Sequence, residues 1–263
     1  MAQTIVVTGA SSGIGLAAAR QLAARGDEVV MVGRDPDRLA AAVELVKPAA
    51  HYRADFEVLD EVRELAAALL KNHERIDVLA NNAGGMVGHY RETVDGHEAT
   101  TQGNHLAPFL LTHLLRERLT GGRVVNTASR AHRQGRPGTV FTEDARSYSK
   151  WRSYGAAKAA NILFAAEAAR RWPEVFSVAF HPGVVRTNFG AGWLTRLVWK
   201  HAPGLITPEA AGELLVWLIT TPPEQLENGA YYVGRTVTRP SAHARDPQFA
   251  GRFWDASAEA VGL

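Results

Sequence analysis

The chain has 263 residues, 46% hydrophobic and 21% charged, which suits one soluble α/β-sized core rather than a fibre or a disordered tail. It contains no cysteine, so disulfides, thiolate metal sites and cysteine nucleophiles are excluded. A net charge of +2 with no long basic run argues against nucleic acid, and no apolar run approaches the ~20 residues of a membrane span.

The chain passes directly into a strand, Thr4–Thr8, with nothing resembling a leader before it, so the cytosol is the expected compartment. Thr8-Gly9-Ala10-Ser11-Ser12-Gly13-Ile14-Gly15 follows and opens a helix over Gly13–Arg25. Glycines at this junction permit a tight turn and let backbone approach a pyrophosphate, while the helix N-terminus supplies amide donors. Gly9, Ser11, Ser12, Gly13, Ile14 and Gly15 are therefore candidate dinucleotide contacts, although the spacing is not Gly-x-Gly-x-x-Gly.

The second strand, Glu28–Val32, leads into Gly33-Arg34-Asp35. An NAD site places an acid here to accept from the ribose 2′-hydroxyl; Gly33 and Arg34 instead offer a guanidinium fork to a 2′-phosphate, so NADP(H) is expected over NAD(H). Arg34 also reads as a plain surface residue, with Asp35 capping the helix Pro36–Val46. Strands then follow at His51–Ala54, Val78–Asn81, Val124–Asn126, Phe176–Ala179 and Ala230–Val233. Helices are expected near Val58–Asn72, His97–Arg118, Ser153–Arg171 and Pro208–Thr220. This alternation predicts an α/β fold: one Rossmann-type doubly wound domain over 1–263, with a parallel seven-stranded sheet and helices on both faces.

Tyr154 and Lys158 lie four apart in the last long helix, on one face. A cation beside a phenol lowers its pKa from ~10, which makes a general acid/base; the same spacing also serves an ordinary solvated helix face. The ten histidines show no His-x-x-x-His spacing with an acidic partner, so no metal site is expected.

In order, Thr8-x3-Gly-x-Gly, Asp55, Asn81-Asn82-Ala83-Gly84, Asn104, Ser129, Tyr154-x3-Lys158 and His181-Pro182-Gly183 resemble the short-chain dehydrogenase/reductase family over nearly the whole chain. Thr93–Glu98, Asn104–Thr112, Ser129-Arg130-Ala131-His132, Ala159–Phe164 and Phe253-Trp254 are most similar to its retinol-dehydrogenase-like branch, which includes relatives of protochlorophyllide reductase. The resemblance implies an NADP-dependent oxidoreductase interconverting carbonyl and alcohol on a small, apolar molecule. Tyr154 would exchange the proton, Ser129 would hold the substrate oxygen, and Lys158 would hold the nicotinamide ribose and lower the Tyr154 pKa. Asn104 would hold a water linking Lys158 to bulk solvent.

Asp55 would accept from the adenine amine, and Asn81, Ala83 and Gly84 would line the adenosine side. Pro182, Gly183, Val184 and Thr187 would meet the nicotinamide carboxamide. Other readings stay open: Asp55 as a helix N-cap, Asn104 as a helix kink, Ser129 as an ordinary loop hydroxyl, and His132 and His181 as structural. Two further functions also stay open, a non-catalytic NADP-binding sensor or scaffold and a Tyr-x3-Lys epimerase or dehydratase.

The substrate loops are expected at about 130–153 and 189–206. In the second, Trp193, Leu194, Leu197 and Val198 recur at helical spacing and read as a mobile lid or as a permanently packed helix. A homodimer is expected through the helices carrying Asn104 and Tyr154, with Ala156, Ala159, Ala160, Ala166 and Ala169 permitting close approach.

Overall fold

Strand β1 (Thr4–Thr8) explains why the sheet is covered on both faces. Ile5 and Val7 enter one hydrophobic layer and Val6 the other, all fully buried. The computed structural model describes residues 2–142, 144–185 and 205–263. Thr187 and the stripe Trp193, Leu194, Leu197 and Val198 lie outside the described residues.

The remaining strands are β2 (Glu28–Gly33), β3 (Ala50–Arg53), β4 (Val78–Asn81), β5 (Arg123–Thr127), β6 (Phe176–His181), β7 (Tyr231–Val233) and β8 (Thr236–Val237). Their order is β3-β2-β1-β4-β5-β6-β7-β8, parallel except for the last pair. The eighth strand goes beyond the seven expected. Gly234 at φ +58° permits a tight hairpin, and its two exposed residues are too few to leave a hydrophobic pattern in the sequence.

Helices α1 (Gly13–Ala24), α2 (Pro36–Val46) and α7 (Pro208–Thr220) cover one face through Leu22, Leu39 and Leu215. Helices α3 (Leu59–Asn72), α5 (Ala107–Leu114) and α6 (Lys150–Arg171) cover the other through Leu65, Leu110 and Phe164. The strand order reverses between β1 and β4, so the ligand crevice lies beyond the carboxyl ends of those two strands.

The single helix expected over His97–Arg118 is broken. A short α4 (Ala99–Thr101) passes into a π-helical turn, Gln102–Leu106, then α5, then a 3₁₀ turn at Arg116–Leu119. The Glu98 carboxylate caps the start, accepting from Thr100 N and Thr101 N at 2.8 Å each. Pro108 explains the π turn: it has no N–H for the carbonyl of Asn104 four residues earlier, and its ring crowds that carbonyl.

The C-terminal helix α8 (Pro247–Ala260) lies across α5 and α6. Trp254 is its anchor, with ring centroids 5.1 Å from Phe109, 5.4 Å from Phe164 and 4.8 Å from Trp172. Ala156, Ala159 and Ala160 are fully buried within the chain. The small residues expected at a dimer face are thus largely used inside the protomer; Ala166 alone of the five is exposed. Among the described residues no helix is long and apolar enough to cross a membrane.

Candidate active site

The glycine turn sits at the crevice, and its geometry fits a pyrophosphate. Gly9 and Gly13 adopt φ +66° and +55°, where side chains are strained. A Cβ on Gly9 would come within 2.9 Å of Ala83 Cα, and one on Gly15 would collide with the Gly9 carbonyl and the Asn82 amide. Ser12 is the N-cap of α1, yet its side chain does not cap it. With no side-chain cap, the first-turn amides of α1 suit a phosphate, and Ser11 and Ile14 flank that end.

The loop after β4 is tied to this turn. Thr8 Oγ1 accepts from Asn82 N at 3.0 Å and Ala83 N at 2.9 Å, and Asn82 Nδ2 donates to Thr8 O at 3.0 Å. Asn81, expected beside the adenosine ribose, is buried, and its amide donates to Thr112 Oγ1 and Asn126 Oδ1 at 3.0 Å each. Its amide nitrogen is therefore a strut between β4, β5 and α5, while its buried Oδ1 has no partner.

At the end of β2, Arg34 does not stand free. Its Nη1 lies 3.1 Å from Glu57 Oε1 and 3.7 Å from Asp55 Oδ1. Glu57 also pairs with Arg91, a contact between two loops that the sequence did not suggest. Asp55 is not the cap of α3: that position is Val58, and Asp95 Oδ2 accepts from Leu59 N at 2.9 Å. Asp55 Oδ1 instead accepts from Glu57 N at 3.0 Å.

Ser129, Tyr154, Lys158 and Asn104 converge at the carboxyl ends of β4 and β5. Ser129 caps the 3₁₀ turn Arg130–Arg133 and hydrogen-bonds the Tyr154 phenol. Lys158, 3% exposed, donates from Nζ to Thr127 O at 3.0 Å and lies 5.4 Å from the Tyr154 ring centroid. Asn104 Nδ2 donates to Gly85 O and Thr100 O at 2.7 Å each, and its Oδ1 accepts from Gly85 N at 3.2 Å. Gly84, at φ +154°, has no room for a side chain, because a Cβ would strike Asn104 Oδ1.

Two glycines lock the Ser129 turn to α6. A Cβ on Gly155 would lie 2.5 Å from Ala131 O and 2.9 Å from Gly135 N; a Cβ on Gly135 would overlap the Ala156 amide. Both were passed over in the sequence because nothing local marks a close backbone approach.

The electrostatics correct one expectation. Burial pushes the Tyr154 phenol above its ordinary value, and the Ser129 hydrogen bond draws it only partly back. Burial also pulls the Lys158 ammonium down to about 7. Burial thus favours the uncharged form of both groups in the resting site.

His132 and His181 are both held by backbone groups. His132 Nε2 accepts from Ser241 N at 3.2 Å, so Nδ1 carries the proton and donates to Ser129 O at 2.7 Å. His181 Nδ1 accepts from Arg130 N at 3.4 Å, and burial, then the Arg130 charge, pulls it down to about 4.

In the 130–153 segment, expected as a substrate loop, Val140 packs with Ala156, Leu163 and Phe253. Tyr148 donates to Val87 O at 2.6 Å and meets Tyr90 edge-on at 6.0 Å, joining this segment to the loop after β4. Gly183, at φ +95°, packs on Ile206, and Val184 stands half exposed after Pro182. Among the described residues no group of three or more His, Asp or Glu could hold a metal.

The profile of the short chain dehydrogenase family matches residues 3–196. The chain belongs to that family. A protein of Streptomyces sp. (strain C5) assigned as a daunorubicin C-13 ketoreductase is 46% identical over 266 residues, covering 99% of this chain and 93% of that protein. Human retinol dehydrogenase 13 is 33% identical over 287 residues, covering 99% and 85%. A crystal structure of an uncharacterised Mycobacterium paratuberculosis protein superposes with a TM-score of 0.81 at 31% identity, covering 99% and 94%. This short-chain dehydrogenase is therefore an oxidoreductase acting between CH–OH and C=O, on a fold that binds a nicotinamide dinucleotide.

Proposed function

We propose that the enzyme is an NADPH-dependent ketoreductase acting on a bulky, polycyclic ketone. The observation that carries this reading is the convergence of Ser129, Tyr154 and a buried Lys158, the lysine held by Thr127 O and 5.4 Å from the Tyr154 ring centroid. The substrate class draws on the similarity to the daunorubicin ketoreductase, stronger than that to the retinol dehydrogenases.

When bound, the nicotinamide supplies the hydride. The amides opening α1, with Gly9 and Gly15 clearing the approach, would hold the pyrophosphate, and Gly33 leaves the end of β2 without an acid that would repel a 2′-phosphate. Arg34 would turn from Glu57 to that phosphate. Thr187 belongs to the same expectation at the carboxamide, with the Val184 backbone.

Ser129 would hold the substrate oxygen, and Tyr154 would give it a proton. Burial holds the phenol protonated at rest, the form that donates when a carbonyl is reduced. Lys158 titrates near neutrality and would charge as the phenolate forms, which lowers the cost of proton release at the moment of reaction.

NADPH oxidation followed with a graded set of small aldehydes, long-chain aldehydes and polycyclic ketones tests this. The parent should prefer the polycyclic ketones, and Tyr154→Phe should keep NADPH binding while losing turnover by at least about a hundredfold. Near-native turnover in Tyr154→Phe, or a preference for small polar aldehydes, would overturn the proposal.

A further inference from the structure

Asn161 follows Lys158 by three residues, so both side chains leave α6 on the same face. It is buried, and both of its amide hydrogens are used. Nδ2 donates to Asn104 O at 3.0 Å and to Thr127 O at 3.2 Å. The first carbonyl is the one that Pro108 leaves without its helical donor; the second also accepts from Lys158 Nζ at 3.0 Å. One side-chain amide thus joins the π turn to the end of β5 and shares an acceptor with the lysine.

The orientation of that amide is set from further away. Asn161 Oδ1 lies 3.3 Å from His105 Nδ1, and His105 Nε2 lies 3.0 Å from Ser257 Oγ on the C-terminal helix. Because both Asn161 amide hydrogens face carbonyls, Oδ1 is an acceptor, and His105 must carry its proton on Nδ1. Nε2 is then an acceptor facing the Ser257 hydroxyl, whose single proton also goes to Phe253 O at 2.8 Å. Burial holds His105 neutral, down to about 4, which fits this single-proton tautomer. Around His105 stand the rings of Phe109, Phe164 and Phe253, the Asn161 amide and the Ser257 hydroxyl; Lys158 is the ionisable group that acts on it, and Tyr154 faces Lys158 from one turn earlier.

We propose that Asn161, aimed by His105, is a positioning residue that fixes the Lys158 ammonium and the Asn104 carbonyl relative to Tyr154. This rests on the reading of Tyr154 and Lys158 as the proton-transfer pair. A flipped or missing amide leaves Thr127 O to Lys158 alone and lets the π-turn carbonyl seek another donor. The ammonium then drifts from its place beside the phenol, although no group that touches substrate has been lost.

The test is steady-state ketone reduction from pH 5.5 to 9.5, with NADPH titrations and thermal unfolding, on Asn161→Leu, Asn161→Asp, His105→Leu, Ser257→Ala and the double variant His105→Leu/Asn161→Leu. Asn161→Leu should lower kcat about tenfold to a hundredfold. It should leave the NADPH Kd within about twofold and move the pH at which kcat falls, the signature of a displaced Lys158. Asn161→Asp cannot donate to both carbonyls when ionised and should match Leu above neutrality, recovering partly in acid where the carboxyl is protonated. His105→Leu should show the same pH shift more weakly, Ser257→Ala more weakly still, and the double variant should be no worse than Asn161→Leu.

A drop in melting temperature with kcat reduced equally at every pH would mean that Asn161 is only a core strut, and would overturn the proposal. Additive losses in the double variant would overturn the part assigned to His105. If Tyr154→Phe retained turnover, the underlying reading would fail instead, and that result is separate from every variant above.

Discussion

Gly155→Ala puts a methyl group where α6 meets the Ser129 turn. In a free helix the change would stabilise by ~1 kcal/mol, because glycine is a poor helix residue. Here the new Cβ would sit 2.5 Å from Ala131 O and 2.9 Å from Gly135 N, both backbone atoms that cannot rotate away. The turn must retreat by roughly 0.5–1 Å, and overpacking of this kind costs ~1–3 kcal/mol. The net expectation is a loss of up to ~2 kcal/mol, or a fall in Tm of a few degrees at this chain length. The functional effect should be larger than the thermal one. The displaced turn carries Ser129, and a misplacement near 1 Å costs about a hundredfold in rate.

Differential scanning fluorimetry and kcat for ketone reduction, with NADPH affinity as the control, measure the three quantities together. Gly251→Ala is the matched comparison: it lies in the C-terminal helix, and its Cβ would meet nothing nearer than 3.6 Å. That variant should gain stability and keep its rate. A Gly155→Ala enzyme that is as stable and as fast as the parent would refute the claim that the Gly135–Gly155 contact sets the site.

Lys158→Met should be inactive yet more stable than the parent at pH 7. The folded pKa of about 7 lies below the ordinary 10.5, so between those values the unfolded chain holds the extra proton and the parent gains stability as pH rises. Unfolding curves at pH 7 and pH 10 should show the advantage of the variant shrinking; an advantage that grows with pH would refute the assigned direction. Arg34→Ala should weaken NADPH binding by ~1.5–3 kcal/mol with little effect on NADH, since a charge-assisted phosphate contact is lost. Glu57→Gln, which frees Arg34 from its nearest carboxylate, should tighten NADPH about two- to fivefold. Fluorescence titration of both cofactors measures these, and equal parent affinities for NADPH and NADH would remove the basis for both.

The sequence alone determined what is local. Alternating apolar runs such as Thr4–Thr8 can only be strands buried on both faces, and the glycines after Thr8 can only open a tight strand–helix turn, because those choices depend on side-chain size and backbone freedom within a few residues. The same locality put Tyr154, Lys158 and Asn161 on one helix face. Asn161 was visible in the sequence, and Pro108 four residues after Asn104 was the available sign that a carbonyl there would need another partner.

The tertiary structure decided what depends on burial and on distant backbone. Tyr154 and Lys158 moved toward their uncharged forms because of desolvation, which no spacing records. Arg34 found Asp55 and Glu57, Gly155 found Gly135, and the C-terminal helix packed on Ala156 and Ala160 through Phe253. Each of these joins segments about twenty to a hundred residues apart. Their energies are set by what the fold excludes from water and by how closely it lets backbones approach, and neither quantity exists until the chain has packed.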